Sequence, residues 1–268
     1  MKKFLLSAVY FLVISSVASA GRFDRVLLLA EEKFSRRVKR NVVTSQLLSK
    51  FKSEKQSNFC TKEERPNLTK NMIFPGTSMP DKSWWQNLWP NPKSVVRSLG
   101  IKPDMSVIDL CCGDGYFTVP VAEVATKVYG IELDASLLTE AQKEADIRGI
   151  KNCVWIQGDA MDISRLIPEQ VDYVLLANTF HGILEKGTLA KSVAASLKPK
   201  GQFVIINWHK RPREETTVLG QPRGPKTEMR MSPLEVEEIL RPLGFTLQRT
   251  IDFLPYHYGS IFTKETQS

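Results

Sequence analysis

Residues 107–118 read Val-Ile-Asp-Leu-Cys-Cys-Gly-Asp-Gly-Tyr-Phe-Thr, an apolar run, an acid and then a tight turn carrying Gly113 and Gly115. The run predicts a buried strand that delivers Asp109 to its carboxyl end. Two glycines let backbone approach a ligand where a side chain would clash. A second apolar run, Val128 to Ile131, ends in another acid, Glu132. Strand, glycine turn, helix, strand and acid is the order in which a doubly wound parallel sheet holds a nucleoside, the acid accepting from the ribose hydroxyls.

The same grammar continues. Val154–Asp159 reads as a third strand ending in an acid, Asp172–Asn178 as a fourth leading into Thr179-Phe180-His181-Gly182, and Gln202–Trp208 as a fifth after a turn at Leu197–Gly201. A sixth spans Thr246–Phe253, and Tyr258–Lys264 is the seventh, returning antiparallel. Helical patterns fill 117–126, 135–148, 185–197 and 232–241, the last opened by Ser232-Pro233-Leu234-Glu235, a helix cap with proline in the first turn. The expected fold class is α/β, a Rossmann-like doubly wound sheet of seven mostly parallel strands with the last antiparallel. An N-terminal apolar helix (1–21) and a basic linker (22–80) precede the domain at 81–268.

The Asp-Leu-Cys-Cys-Gly-Asp-Gly stretch resembles motif I of the class I S-adenosylmethionine (SAM)-dependent methyltransferases, in a spelling similar to the ubiquinone/menaquinone methyltransferase-like branch. Cys111 stands where many relatives carry the first glycine. A dehydrogenase fingerprint would need a third glycine at position 118, which is Thr. The resemblance covers roughly residues 80–265 and implies SAM as cofactor. It implies Asp109 at the methionine amino group, Gly113, Asp114 and Gly115 on the turn that admits the donor, and Glu132 at the ribose. Asp159 would meet the adenine amino group with Ala160 beside it, and Asn178 would lie near the donor methyl. It says little about the acceptor.

Charge narrows the acceptor. Residues 1–80 hold 15 Lys+Arg and 6 Asp+Glu, whereas residues 81–268 hold 22 and 23, a net of −1. A domain that grips phosphate backbones needs a basic face of its own, so a small molecule is the expected acceptor and nucleic acid a disfavoured partner. An RNA or protein methyltransferase stays as the alternative enzyme, and a non-catalytic, membrane-tethered SAM-binding protein as the alternative outside enzymes. Oligomeric state is not readable.

Methyl transfer needs an acceptor held in line and, where it is protonated, a base. The chain has three histidines: His181 past strand four, His209 past strand five and His257 in the hairpin after strand six. All three map to the rim beyond the carboxyl strand ends, where ligands of such sheets bind, and each is a candidate base, His181 first. No H-x-x-x-H spacing joins them, so no metal is expected. The Arg-, Pro- and Gly-rich insertion 209–231 falls on the same rim and reads equally as acceptor recognition or as a solvated lid. Trp84, Trp85 and Trp89 precede strand one and read as core or as part of the acceptor site.

At the other end, Met1-Lys2-Lys3 precedes an uncharged run over residues 4–20 that closes on Ala18-Ser19-Ala20. The pattern is that of a signal peptide, but the heavier positive flank follows the run, which favours a cytosol-facing membrane anchor. Export and organelle targeting are the alternatives. Adjacent Cys111 and Cys112 cannot sensibly bridge each other and fit a reducing compartment.

Overall fold

The computed structural model describes residues 80–266, so the apolar segment and most of the basic linker lie outside the described residues. Within them, no helix is long and apolar enough to cross a membrane. The elements are α1 (Lys82–Leu88), α2 (Pro92–Ser98), β1 (Ser106–Leu110), α3 (Thr118–Ala122), β2 (Lys127–Glu132), α4 (Ala135–Ile147), β3 (Cys153–Gln157), α5 (Ile163–Leu166), β4 (Val171–Ala177) and α6 (Lys186–Ser196). After these come β5 (Leu197–Trp208), the short β6 (Thr217–Val218) and β7 (Gln221–Pro222), α7 (Pro233–Leu240), β8 (Phe245–Phe253) and β9 (His257–Lys264).

Seven strands form one sheet in the order β3-β2-β1-β4-β5-β9-β8. Pairing is parallel from β3 across to β5, and β9 runs antiparallel to both β5 and β8. Order reverses between β1 and β4, the switch point at which such sheets open a crevice beyond their strand ends. β1 and β4 are near-continuous apolar runs because helices cover both faces. One face packs Val107, Tyr173, Leu175, Val204 and Ile206 under α1–α3, and the other packs Ile108, Leu110, Val174, Leu176 and Ile205 under α5–α7.

Local chemistry starts the helices where the sequence places them. Asp134 caps α4 through the Ser136 amide at 2.8 Å, and Ser232 with Glu235 closes a reciprocal capping box on α7. Three differences from the sequence reading stand out. β5 begins at Leu197, because the expected turn there is absorbed as a bulged strand start in which Lys200 takes φ 62°. The first crossover helix is cut to Thr118–Ala122. The insertion after β5 is folded: Leu219 (φ 50°) and Gly220 (φ 74°) make a two-residue turn joining β6 to β7, the left-handed pair that such tight hairpins require.

Candidate active site

The carboxyl ends of the strands form one rim, and side chains of opposite character divide it. On the β3-β2-β1 side are three acids. Asp109, at the penultimate position of β1, is 1% exposed and accepts from Thr118 Oγ1 at 2.6 Å. Burial pushes its carboxyl up to about 7, against the Thr118 bond and with help from the nearby Glu132 charge. Glu132, the last residue of β2, accepts from three backbone amides: Gly113 at 2.9 Å, Leu133 at 2.8 Å and Asp134 at 3.1 Å. Asp159, beyond β3, caps a short 3₁₀ turn by accepting from the Met161 amide at 2.9 Å, with Ala160 buried beside it.

Between β1 and α3 the glycine turn runs through left-handed conformations at Cys111 (φ 58°), Gly113 (φ 56°) and Gly115 (φ 81°). At Gly115 a Cβ would come within 2.9 Å of the Ala141 Cβ on α4, so this glycine is needed for turn-to-helix packing in addition to its dihedral. Asp114 is raised by burial, opposed by Lys82, and its Oδ1 is buried without a hydrogen-bond partner. It lines a cavity of about 380 Å³ shared with Lys82, Gln86, Tyr116 and Arg148. A second cavity, about 410 Å³ and lined by Lys102, Lys198, Lys200 and Arg249, lies at the opposite, amino end of the strands, away from these acids. Burial drives the Cys111 and Cys112 thiols well above their ordinary range and Cys153 up to about 12, so none of them is a thiolate at neutral pH.

Past β4, Asn178 adopts φ 57°, and both its side-chain oxygen and nitrogen are buried without partners. Its amide donates to the Ile206 carbonyl at 2.8 Å, fixing the residue between β4 and β5. His181 follows in a short 3₁₀ turn, its Nδ1 at 2.8 Å from Asn207 Oδ1. The amide oxygen can only accept, so Nδ1 carries the proton and Nε2 is the lone-pair nitrogen. Burial lowers His181 to about 4, so it is a neutral imidazole at physiological pH. Asn207 also bears on Tyr258, whose hydroxyl donates to the Met231 carbonyl at 2.8 Å.

His257 does not sit in the hairpin loop. It is the first residue of β9, in register with Trp208, because the connection from β8 is only three residues long. It is 1% exposed, its ring centroid lies 4.1 Å from that of Trp208 and 4.5 Å from that of Trp89, and Nε2 has no hydrogen-bond partner. Burial, reinforced by the fields of His209 and His181, holds it far below the usual imidazole range. His209 is the more open of the three, with Nε2 3.5 Å from Asp252 Oδ1. The three histidines share one rim, and among the described residues no group of three His, Cys, Asp or Glu side chains could hold a metal.

Trp84, Trp85 and Trp89 are buried in the face of the core under α1. Trp89 nonetheless touches His257 and Phe253, so the cluster forms a wall of the rim as well as core. Asn207, Trp208 and Tyr258 join the rim without being among the residues the sequence singles out. The available signal was Asn207 itself, a polar residue closing an otherwise apolar strand at its carboxyl end.

The family model described as "Methyltransferase domain" matches residues 101–234, half of the chain. Among curated proteins, the chain is 35% identical over 101 residues to the 23S rRNA (uracil(1939)-C(5))-methyltransferase RlmD of Xanthomonas axonopodis pv. citri, covering 35% of this chain and 23% of that protein. It is 27% identical over 118 residues to the demethylmenaquinone methyltransferase of Geobacillus stearothermophilus, covering 42% of this chain and 50% of that one. The chain therefore matches half or less of these relatives' length. Among solved structures, a SAM-dependent methyltransferase from Aquifex aeolicus superposes with a TM-score of 0.58 at 23% identity, over 75% of this chain and all of that one. The PH0226 protein of Pyrococcus horikoshii gives 0.56 at 21%, over 73% and 98%. Both likenesses support the fold.

Proposed function

The chain belongs to the methyltransferase-domain family of class I SAM-dependent methyltransferases, and from that premise we propose that it transfers the methyl group of SAM to a small molecule bound over the β4-β5-β9 half of the rim. The observation that carries this reading is the pair of orphaned side-chain atoms on Asn178, buried where the acid half of the rim meets the histidine half. Buried polar atoms without partners in a left-handed turn are costly, and a ligand that satisfies them removes the cost.

SAM supplies an activated methyl sulfonium; the protein's task is to hold it and to present the acceptor. In this reading Glu132 takes the ribose hydroxyls, relinquishing the Gly113 amide as they arrive. Asp109, ionised, faces the donor's ammonium, Asp159 with Ala160 faces the adenine edge, and Gly113, Asp114 and Gly115 line the approach. Two oxygens of a carboxylate accept from a vicinal diol as two charge-assisted hydrogen bonds. His181 Nε2 is the candidate base for an acceptor that loses a proton, its orientation held through Nδ1 by Asn207. His209 and His257 stand beside it, one at the open edge and one among the tryptophans.

The near-zero charge of the domain supports a small acceptor. The identity to an rRNA methyltransferase is the observation that favours RNA instead. Titration calorimetry of the full chain with S-adenosylhomocysteine tests the first claim: binding is expected, weakened at least ~10-fold by Glu132→Ala. Unchanged affinity in that variant refutes the ribose assignment. RNA binding that falls steeply with salt would transfer the acceptor to nucleic acid.

A further inference from the structure

Resting on that reading of the rim, we propose that the methyl acceptor carries an oxyanion group, received by the Arg230 guanidinium beside Trp208.

Arg230 is 2% exposed, which is rare for an arginine without a counter-ion. Its Nε donates to the Pro225 carbonyl at 3.1 Å, and its Nη2 to Thr216 Oγ1 at 2.8 Å and the Arg223 carbonyl at 3.0 Å. Nη1 is buried and has no partner. Every acceptor around the guanidinium is neutral, and among the described residues no ion pair includes it. The nearby charges felt by Arg230 are those of Arg213 and Arg211, with Glu214 opposing. A buried cation whose hydrogen-bond acceptors are all neutral and which forms no ion pair is destabilising unless an anion completes it. The planar fork of arginine fits carboxylate and phosphate oxygens in particular.

Position ties this cation to the acceptor half of the rim. The guanidinium carbon lies 5.2 Å from the Trp208 ring centroid, and Trp208 is the last residue of β5. Tyr256 stacks on the same indole with ring planes 12° apart, and His257 lies against it. Along the chain of contacts Arg230–Trp208–His257–Trp89, three side chains hold a buried nitrogen without a partner: Arg230 Nη1, His257 Nε2 and the indole Nε1 of Trp89. Two of the three can only donate, which suits an oxygen-rich anion.

The segment that carries Arg230 is basic in a domain that is not. Residues 209–231 hold six Lys+Arg against three Asp+Glu, while the whole of 81–268 is net −1. The segment is pressed onto the indole at Gly224, where a Cβ would meet the Trp208 ring at 2.7 Å. It covers the wall and brings the charge with it.

The test is calorimetric titration of the full chain, saturated with S-adenosylhomocysteine, with benzoate, phenyl phosphate and neutral benzamide at low ionic strength. At least one anion should bind about tenfold more tightly than benzamide, and the preferred one distinguishes a carboxylate from a phosphate acceptor. Arg230→Met should erase the preference and leave S-adenosylhomocysteine affinity within about twofold. Equal binding of the three probes, or binding of none, overturns the proposal. Loss of S-adenosylhomocysteine binding in a folded Arg230→Met assigns the guanidinium to the donor's own carboxylate and overturns it as well. Should the variant not fold, the anion-to-benzamide ratio of the unaltered chain decides. Should that chain not bind S-adenosylhomocysteine, the methyltransferase reading fails, and the same ratio measured without it still decides the anion site.

Discussion

The two halves of the rim solve opposite problems. On the β3-β2-β1 side the three acids at the strand ends have internal partners, Asp109 from Thr118, Glu132 from three amides and Asp159 from the Met161 amide, while Asp114 on the glycine turn keeps a buried Oδ1 without one. On the β4-β5-β9 side His257 Nε2, Asn207 Nδ2 and Arg230 Nη1 are buried without partners. The first half is a preformed grip whose geometry the fold maintains by itself. The second holds polar groups whose solvation was given up in folding and is recovered only from a ligand, which makes it the half where specificity resides. Mutations should therefore separate the two, donor affinity responding on one side and acceptor affinity on the other.

The largest expected effect tests whether the second half is also structural. Trp208 is 2% exposed and supports His257, Tyr256, Gly224 and Arg230 together. Trp208→Ala should lower unfolding free energy by about 3–5 kcal/mol, as truncation of a buried aromatic does. Chemical denaturation would show it, and a loss under ~1 kcal/mol would mean that the wall is not packed as described.

In the first half, Gly115→Ala should cost about 2–4 kcal/mol, combining a left-handed dihedral with a clash against Ala141. Donor-product affinity should fall with it, because the displaced turn also carries Gly113. If stability falls and affinity does not, the glycine serves packing alone.

Asp109 supplies a pH signature. Its carboxyl is raised to about 7 by burial. A raised acid is neutral below that value, so its burial penalty is absent below the ordinary carboxylate range, grows as pH rises and is complete above about 7. The donor-free protein should gain stability from this residue as pH falls from 7 toward 4. S-adenosylhomocysteine affinity should move the other way, rising about tenfold between pH 6 and pH 8 as the partner of its ammonium ionises. Asp109→Asn should flatten both profiles; a wild-type affinity profile already flat across that interval would remove Asp109 from the donor site.

Much of the first half was legible because its signals are local. A strand that is apolar at every position and ends in an acid, followed by glycines, fixes both the element and the direction of the acid; β1 and β2 match the expected runs to within a residue or so. The second half depends on contacts remote in sequence. Nothing local marks Arg230 as buried, since arginine is ordinarily exposed, and its environment is made by Thr216, Arg223 and Pro225 after the β6–β7 hairpin has turned the chain back. The position of His257 was missed by the length of the strand it opens, and the link from His181 to Asn207 spans 26 residues across two strands. The apolar segment at 4–20 lies outside the described residues, so its expected role as an anchor is untouched by any of this.

The smallest effect gives the finest cut between the halves. Tyr258 donates to the Met231 carbonyl, one residue beyond Arg230, and so ties β9 to the basic cover segment. Tyr258→Phe removes one hydrogen bond and leaves the ring in place, an expected loss of about 1 kcal/mol. Nothing in the β3-β2-β1 half touches this hydroxyl, so S-adenosylhomocysteine affinity should stay within experimental error. Anion affinity should fall severalfold as the Arg230 segment loosens. A variant in which donor affinity drops in parallel would show the two halves to be one cooperative unit, and the division between grip and specificity would have to be withdrawn.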